Sequence, residues 1–252
     1  MRVEYASAKT FADIFQVIKK TVPEAVLVFN EKGMRMSTLD PSRVMYIDLF
    51  INKSAFTEYE VEGTVELPIN IDDFVKVIKR GKKKDRLVLK HSGDNFIEIE
   101  FQGTAKRKFR LPLISVDKTE FIDSIDLPFT AKIVVTGGIM KDIIRDIKLI
   151  SDSVKLIATK EDNIPKFIMK AESEISEYTM ELDETYEGLY SIEIQEEASA
   201  TYGIEYFSVP FSKVGASDEV EINFGNEIPV QIIWRPGIDI EVKFLIAPRA
   251  ED

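Results

Sequence analysis

Apolar residues recur along this chain with two periods, near two in the runs that read as strands and near 3.6 in the runs that read as helices. Arg2 to Ala6 alternates as a short strand, and Phe11, Ile14, Phe15, Ile18 and Val22 then fall on one helical face. Ala25 to Asn30, Met34 to Leu39 and Arg43 to Ile51 are rich in strand formers. Glu31-Lys32-Gly33 and Asp40-Pro41 separate them as turns, so an antiparallel meander is expected. A looser stretch leads to a strand over Gly63 to Ile69. The spacing predicts a second helix from Ile71, capped by Asn70, with Asp72 and Asp73 in the first turn and Gly81 past the end. Strands over Arg86 to His91, Asn95 to Gln102 and Arg107 to Ser115 complete the order βαββββαβββ.

The second half repeats that order without obvious identity. Ala131 to Thr136 reads as a strand, and Gly138 to Ile150 as a helix with Ile139, Ile143, Ile147 and Ile150 on one side. Four strands are expected from Ser153 to Gln195, then a helical segment over Ala200 to Lys213 that Pro210 bends or ends. Strands at Glu219 to Phe224, Pro229 to Trp234 and Ile238 to Ile246 close the chain. Helix starts lie about 62 residues apart in both halves, a recurrence that argues for duplication. The predicted fold class is α+β. Two similar domains, 1–114 and 131–252, carry their helices on one face of antiparallel sheet. The connector 115–130 between them, SVDKTEFIDSIDLPFT, has neither period. Its Ile125, Leu127, Pro128 and Phe129 are read either as apolar groups offered to a partner or as a strap packed on their own domain.

Composition narrows the chemistry. With no cysteine and a single histidine, His91, the chain has no disulfide, no thiolate nucleophile and no multi-histidine zinc site. No HExxH, GxSxG or Walker A word occurs, and no histidine or cysteine base stands ready to accompany a nucleophile. A carboxylate hydrolase is the competing class, since 44 Asp and Glu bring some pairs together by abundance alone. No run approaches the roughly 18 apolar residues of a membrane span. The start MRVEYASAKTF also lacks a signal peptide's apolar core, so a cytoplasmic protein with no membrane partner is expected.

The net charge of -11 speaks against coating nucleic acid by bulk attraction, yet the charge is segregated. Residues 71–86 carry seven Lys or Arg against three Asp, whereas 171–197 carry ten acids and no Lys or Arg. Helical projection puts Lys141, Arg145 and Lys148 opposite the isoleucine stripe of the third helix. Lys76 and Arg80, flanked by Lys79, stand opposite the apolar face of the second helix, and Lys82, Lys83 and Lys84 follow it. The first helix adds Lys9, Lys19 and Lys20 but also Asp13, and the fourth little besides Lys213.

Three ordered landmarks then identify a likeness. Gly33-Met-Arg-Met-Ser-Thr-Leu-Asp-Pro-Ser-Arg-Val-Met-Tyr-Ile-Asp-Leu49 resembles the first-domain signature of the archaeal and eukaryotic sliding clamp, the proliferating cell nuclear antigen family. Phe244-Leu-Ile-Ala-Pro248 resembles the family's closing motif, and the 115–130 segment stands where the family has its interdomain connecting loop. The resemblance implies a non-enzymatic trimeric ring around double-stranded DNA, gripped without regard to sequence, with no catalytic residues, no metal and no cofactor. DNA polymerase, a clamp loader, flap endonuclease and ligase would dock through short peptide motifs. On this reading Lys19, Lys76, Lys79, Arg80, Lys141, Arg145 and Lys148 face DNA. Leu39, Val44, Tyr46, Ile125, Leu127, Pro128, Pro229, Leu245, Ala247 and Pro248 line the partner-peptide pocket. The subunit contact joins a basic edge strand with Lys108 and Arg110 to an acidic one with Glu177 and Glu181. The ring is either a homotrimer or a heterotrimer with paralogues, in which this chain would be a clamp-like adaptor subunit. The cytoplasmic site implied is the nucleoid. Ala12 and Asp13 replace lysines common in eukaryotic relatives, and Leu245 replaces an aromatic residue at the pocket rim, for which Tyr46 partly compensates.

Overall fold

In the computed structural model, which describes residues 1–115 and 125–250, the two periods of the sequence resolve into two units. One holds residues 1–41, 47–115 and 236–242, and the other 42–46, 125–235 and 243–250. In the first, β1 (Arg2–Tyr5), β5 (Glu58–Glu60), β7 (Arg86–Lys90), β8 (Phe96–Gln102) and β9 (Lys106–Pro112) form a sheet in the order β5-β1-β7-β8-β9. Strands β4 (Met45–Asn52), β3 (Gly33–Leu39), β2 (Glu24–Asn30) and β6 (Val65–Asn70) follow one another in a second layer. The meander turn at Glu31-Lys32 requires glycine next to it. Gly33 has φ 145°, and a Cβ there would stand 2.2 Å from the Ile51 carbonyl oxygen.

Two helices carry the first unit's apolar stripes. In α1 (Ala8–Ile18) the Ser7 hydroxyl accepts from the Thr10 N–H at 3.3 Å, and Phe11, Ile14, Phe15 and Ile18 are fully buried. In α2 (Ile71–Ile78) the Asn70 side chain accepts from the Asp73 N–H at 3.0 Å, with Asp72 and Asp73 in the first turn as the spacing predicts. The helices meet through aromatic rings: Phe15 lies 5.0 Å from Phe11 and 5.1 Å from Phe74. Each such side chain contributes about 1.5–3 kcal/mol of burial to the core.

The second unit repeats the first strand for strand. β14 (Leu189–Ile194), β10 (Ala131–Thr136), β16 (Glu219–Phe224), β17 (Val230–Gly237) and β18 (Ile240–Ile246) take the places of β5, β1, β7, β8 and β9. The sheet β13-β12-β11-β15 is built of β13 (Glu177–Leu182), β12 (Ile164–Glu172), β11 (Ser153–Glu161) and β15 (Ala198–Gly203), and repeats β4-β3-β2-β6. The division between units falls within β4, β17 and β18. All the registered pairings are antiparallel, and the helices α3 (Gly137–Ile150) and α4 (Ile204–Phe207) occupy the positions of α1 and α2. The fold is α+β with duplicated halves.

Three local expectations change. Each half carries one strand more than βαββββαβββ: β5 lies in the looser stretch, and β15 lies where the fourth helix was expected to begin. Residues 198–203 bury every second side chain, Ala198, Ala200 and Tyr202, against β11, a period of two that the helical spacing of Ala200, Ile204, Phe207 and Phe211 hides. Pro210 then starts a short 3-10 turn, Pro210–Ser212, because it cannot donate to a continuing helix. In α3 the buried stripe runs through Met140, Ile143, Ile144 and Ile147, while Ile139 and Ile150 only flank it. Among the described residues no helix is long and apolar enough to cross a membrane.

Candidate functional site

Of the cations assigned to the DNA-facing set, Lys76, Lys141, Arg145 and Lys148 lie on helices and Lys19, Lys79 and Arg80 just past the ends of α1 and α2, but most already have a partner. In the first unit, Lys19 at the end of α1 meets Asp72 on α2 at 2.6 Å, and Lys76 meets Asp73 one turn away at 2.8 Å. The Lys19 ammonium beside Asp72 holds that carboxyl below its usual range, and Asp73 raises the Lys76 ammonium. Lys79 and Arg80 are exposed and carry no side-chain ion pair among the described residues. Lys82, Lys83 and Lys84 continue this exposed run to Asp85, whose buried carboxylate accepts from the Lys82 N–H at 2.9 Å and from Arg107. The basic segment is therefore folded onto a fixed acid at its base, with its charged ends outward.

In the second unit the same pattern is tighter. The Lys141 ammonium donates to the Val214 carbonyl, Lys148 donates to the Ser208 hydroxyl at 2.8 Å, and Arg145 pairs with Asp142 at 2.6 Å. Asp142, Asp146 and Leu149, 83% exposed, share the outward side of α3, so this face is mixed rather than uniformly cationic. The four-residue α4 offers Glu205 outward and no cation. Exposed pairs of this kind are weak and screened by salt, so a phosphate can replace the acid partner of Lys76 or Arg145. Lys141, held by a carbonyl and half-buried, is the least available of the seven.

The apolar set assigned to partner peptides gathers largely in the second unit. Ala247 N–H donates to the Val44 carbonyl at 2.9 Å, which places the chain's closing motif beside Val44. The described end of the connector, residues 125–130, turns on Phe129 N–H to Leu127 O at 2.8 Å and is tied to β16 by Thr130 N–H to Phe224 O at 3.0 Å. The Pro128 carbonyl lies so close to Gly225 that a Cβ there would approach it to 3.1 Å. Ile125, Leu127, Val44, Pro229, Ala247 and Pro248 are half-buried and Pro128 is exposed, whereas Tyr46 and Leu245 are buried. Leu39, in the first unit, is 45% exposed. Residues 116–124 of the predicted 115–130 loop lie outside the described residues.

The strands assigned to subunit contact are both sheet edges. β9 ends the sheet β5-β1-β7-β8-β9, and β13 ends the sheet β13-β12-β11-β15. Sequence reasoning missed what lies under the basic edge. Lys106 reaches Glu100 at 2.9 Å, Lys108 lies 3.7 Å from Glu98 and 3.9 Å from Glu100, and Arg110 pairs with Asp94 at 2.8 Å. Burial would raise the Glu100 carboxyl, but hydrogen bonds from Lys106, Gln102 and Lys90 outweigh it and bring it down to about 2. The alternation of Phe-Ile-Glu-Ile-Glu-Phe in β8 puts both glutamates on one face, but only the register Glu98↔Arg110 and Glu100↔Lys108 brings them under these cations. On the acidic edge Glu181 has Lys166 at 3.8 Å, and Glu177 has no ion pair among the described residues. His91, which sequence left without a role, has its Nδ1 3.0 Å from the Phe96 carbonyl oxygen. Among the described residues no cluster of three His, Cys, Asp or Glu is placed to hold a metal ion.

Comparison with known proteins places these features. The family model for the N-terminal domain of proliferating cell nuclear antigen matches residues 1–121. The DNA polymerase sliding clamp of Thermococcus onnurineus is 44% identical over 250 residues, 99% of this chain and 98% of that protein. The crystal structure of the Thermococcus kodakaraensis proliferating cell nuclear antigen superposes with a TM-score of 0.93 at 35% identity, over 98% of this chain and 99% of that one. A chain of the PCNA2–PCNA3 complex of Sulfolobus tokodaii does so with a TM-score of 0.90 at 31% identity, over the whole of both chains. With its duplicated α+β halves and this likeness along its full length, the chain belongs to the proliferating cell nuclear antigen family of DNA sliding clamps.

Proposed function

We propose that this chain is one subunit of a trimeric ring that encircles duplex DNA and tethers DNA polymerase and other replication and repair enzymes to it. The observation that carries the reading is the pair of unlike sheet edges left by the duplication. β9 presents Lys106, Lys108 and Arg110, and β13 presents Glu177 and Glu181. Unlike edges on one chain favour head-to-tail contacts, which close into a ring when the rotation allows it, and they disfavour pairing of like with like. Domains 1–114 and 131–252 are the two repeats, joined by the 115–130 loop. Lys19, Lys76, Lys79, Arg80, Arg145 and Lys148, with Lys141 in a lesser part, touch phosphates and read no bases. Retention by topology needs only weak contacts, which suits a chain of net charge -11.

The chain has no catalytic role on this reading, and it works in the cytoplasm at the nucleoid. Val44, Ile125, Leu127, Pro128, Pro229, Ala247 and Pro248, over buried Tyr46 and Leu245 and with Leu39, receive a short helical peptide with aromatic anchors from polymerase, clamp loader, flap endonuclease or ligase. The heteromeric PCNA2–PCNA3 relative favours a second reading, in which this chain joins paralogues. Primer extension on singly primed circular DNA tests the proposal. With polymerase and an ATP-driven loader, the purified chain is expected to lengthen the products of a single binding event. No lengthening with this chain alone, but lengthening when a paralogue is added, selects the heteromer; none in either case overturns the assignment.

A further inference from the structure

The segment Ala247 to Ala250 that follows β18 is a strap whose backbone donates from Ala247 N–H to Val44 O at 2.9 Å and from Arg249 N–H to Thr201 O at 2.7 Å. Pro248 between them has no N–H to add. A segment outside helix and strand is held by such single bonds and by its side chains, so a side-chain anchor decides how fixed an apolar surface it offers. That anchor is visible. The Arg249 guanidinium donates from Nη1 and Nη2 to the two carboxylate oxygens of Asp152, at 2.9 and 3.1 Å. Asp152 is itself fixed in the tight turn between α3 and β11, where its backbone carbonyl accepts from the Ile204 N–H at 2.9 Å. The fork fits two parallel bonds that a lysine cannot make. Arg249 also holds the Asp152 carboxyl below its usual range.

We propose that the Arg249–Asp152 pair is a latch that fixes the C-terminal strap, making both positioning residues for partner-peptide binding; this rests on the reading of Ala247 and Pro248 as part of the peptide pocket. Neither residue needs to touch the peptide. Their effect is to keep Ala247 and Pro248 in place before the peptide arrives, which lowers the ordering cost of binding. Because Asp152 is 81% exposed at its side chain and Arg249 46%, the coupling is modest.

Calorimetry with a synthetic C-terminal peptide of a flap endonuclease tests this on the full-length protein. Asp152→Asn is expected to weaken the peptide roughly three- to five-fold, the scale of an exposed bidentate pair. Arg249→Lys is expected to lose as much, although it keeps the charge. The double variant Asp152→Asn/Arg249→Lys should be no weaker than either single one, because both break the same link. Amide exchange at Arg249 should quicken in Asp152→Asn while the melting temperature stays within about a degree. Unchanged affinity in Asp152→Asn, or losses that add in the double variant, overturns the latch. The pocket reading fails separately, if Ile125→Ala/Leu127→Ala leaves the affinity of the parent protein untouched; a peptide that does not bind the parent protein overturns both.

Discussion

Glu100 is fully buried and charged because three lysines and an amide converge on it: Lys106 at 2.9 Å, Lys90 at 3.0 Å, Lys108 at 3.9 Å and the Gln102 side chain at 2.7 Å. A carboxyl held at about 2, against an ordinary 4.5, contributes stability that is fully present above pH 4.5 and is lost as the pH falls from there to about 2. Glu100→Gln should therefore flatten the stability–pH curve within that window and cost roughly 2–3 kcal/mol near neutral pH, read by denaturant unfolding at stepped pH. An unchanged acid limb would mean that the lysines do not depend on Glu100. The sequence shows the cations of 106–110 and the alternating glutamates of β8, but their pairing depends on strand register, which no local pattern contains. The same holds for Lys19 with Asp72 and Lys141 with Val214, contacts between distant residues that turn exposed charges into engaged ones.

The helices and the connector are where local pattern was most and least informative. α2 was legible to its cap because Asn70, the first-turn acids and the apolar stripe all agree, whereas α1 was legible by its stripe alone and its Ser7 cap emerges only in the structure. α4 was not, because four helical residues carry no period of their own and the preceding β15 shares apolar positions with it. A difference between cations follows from their partners. Replacing Lys79 and Arg80 by Ala should shorten loader-dependent extension products more than replacing Lys141 and Lys148, since the latter pair is already spent on Val214 and Ser208. Equal losses would mean that the intrachain bonds dissolve on DNA. At the connector, Ile125→Ala/Leu127→Ala should weaken a partner peptide by about 1 kcal/mol or more per residue, with little change in unfolding, since both side chains are only half-buried. Calorimetry beside a denaturant curve separates the two effects.

At the scale of the whole molecule, duplication was readable from element order alone, and the strand-for-strand repeat β5-β1-β7-β8-β9 and β14-β10-β16-β17-β18 extends it to pairing. The chemistry of the edges was readable only as charge: the acids Asp94, Glu98 and Glu100 beneath β9 reduce the surplus that Lys106, Lys108 and Arg110 can offer to Glu177 and Glu181 of another copy. On the proposed edge-to-edge contact, ring closure would then rest on strand pairing steered by charge rather than on charge alone. The claim that this chain holds DNA by encircling it is tested most directly by release. Labelled protein is placed on a nicked circular plasmid by a loader, freed of loose protein by gel filtration at moderate salt, and followed after one restriction cut. Encirclement predicts that protein stays with the intact circle and slides off the linear product, and that blocking both ends restores retention. Equal retention on circular and open-ended linear DNA would contradict it.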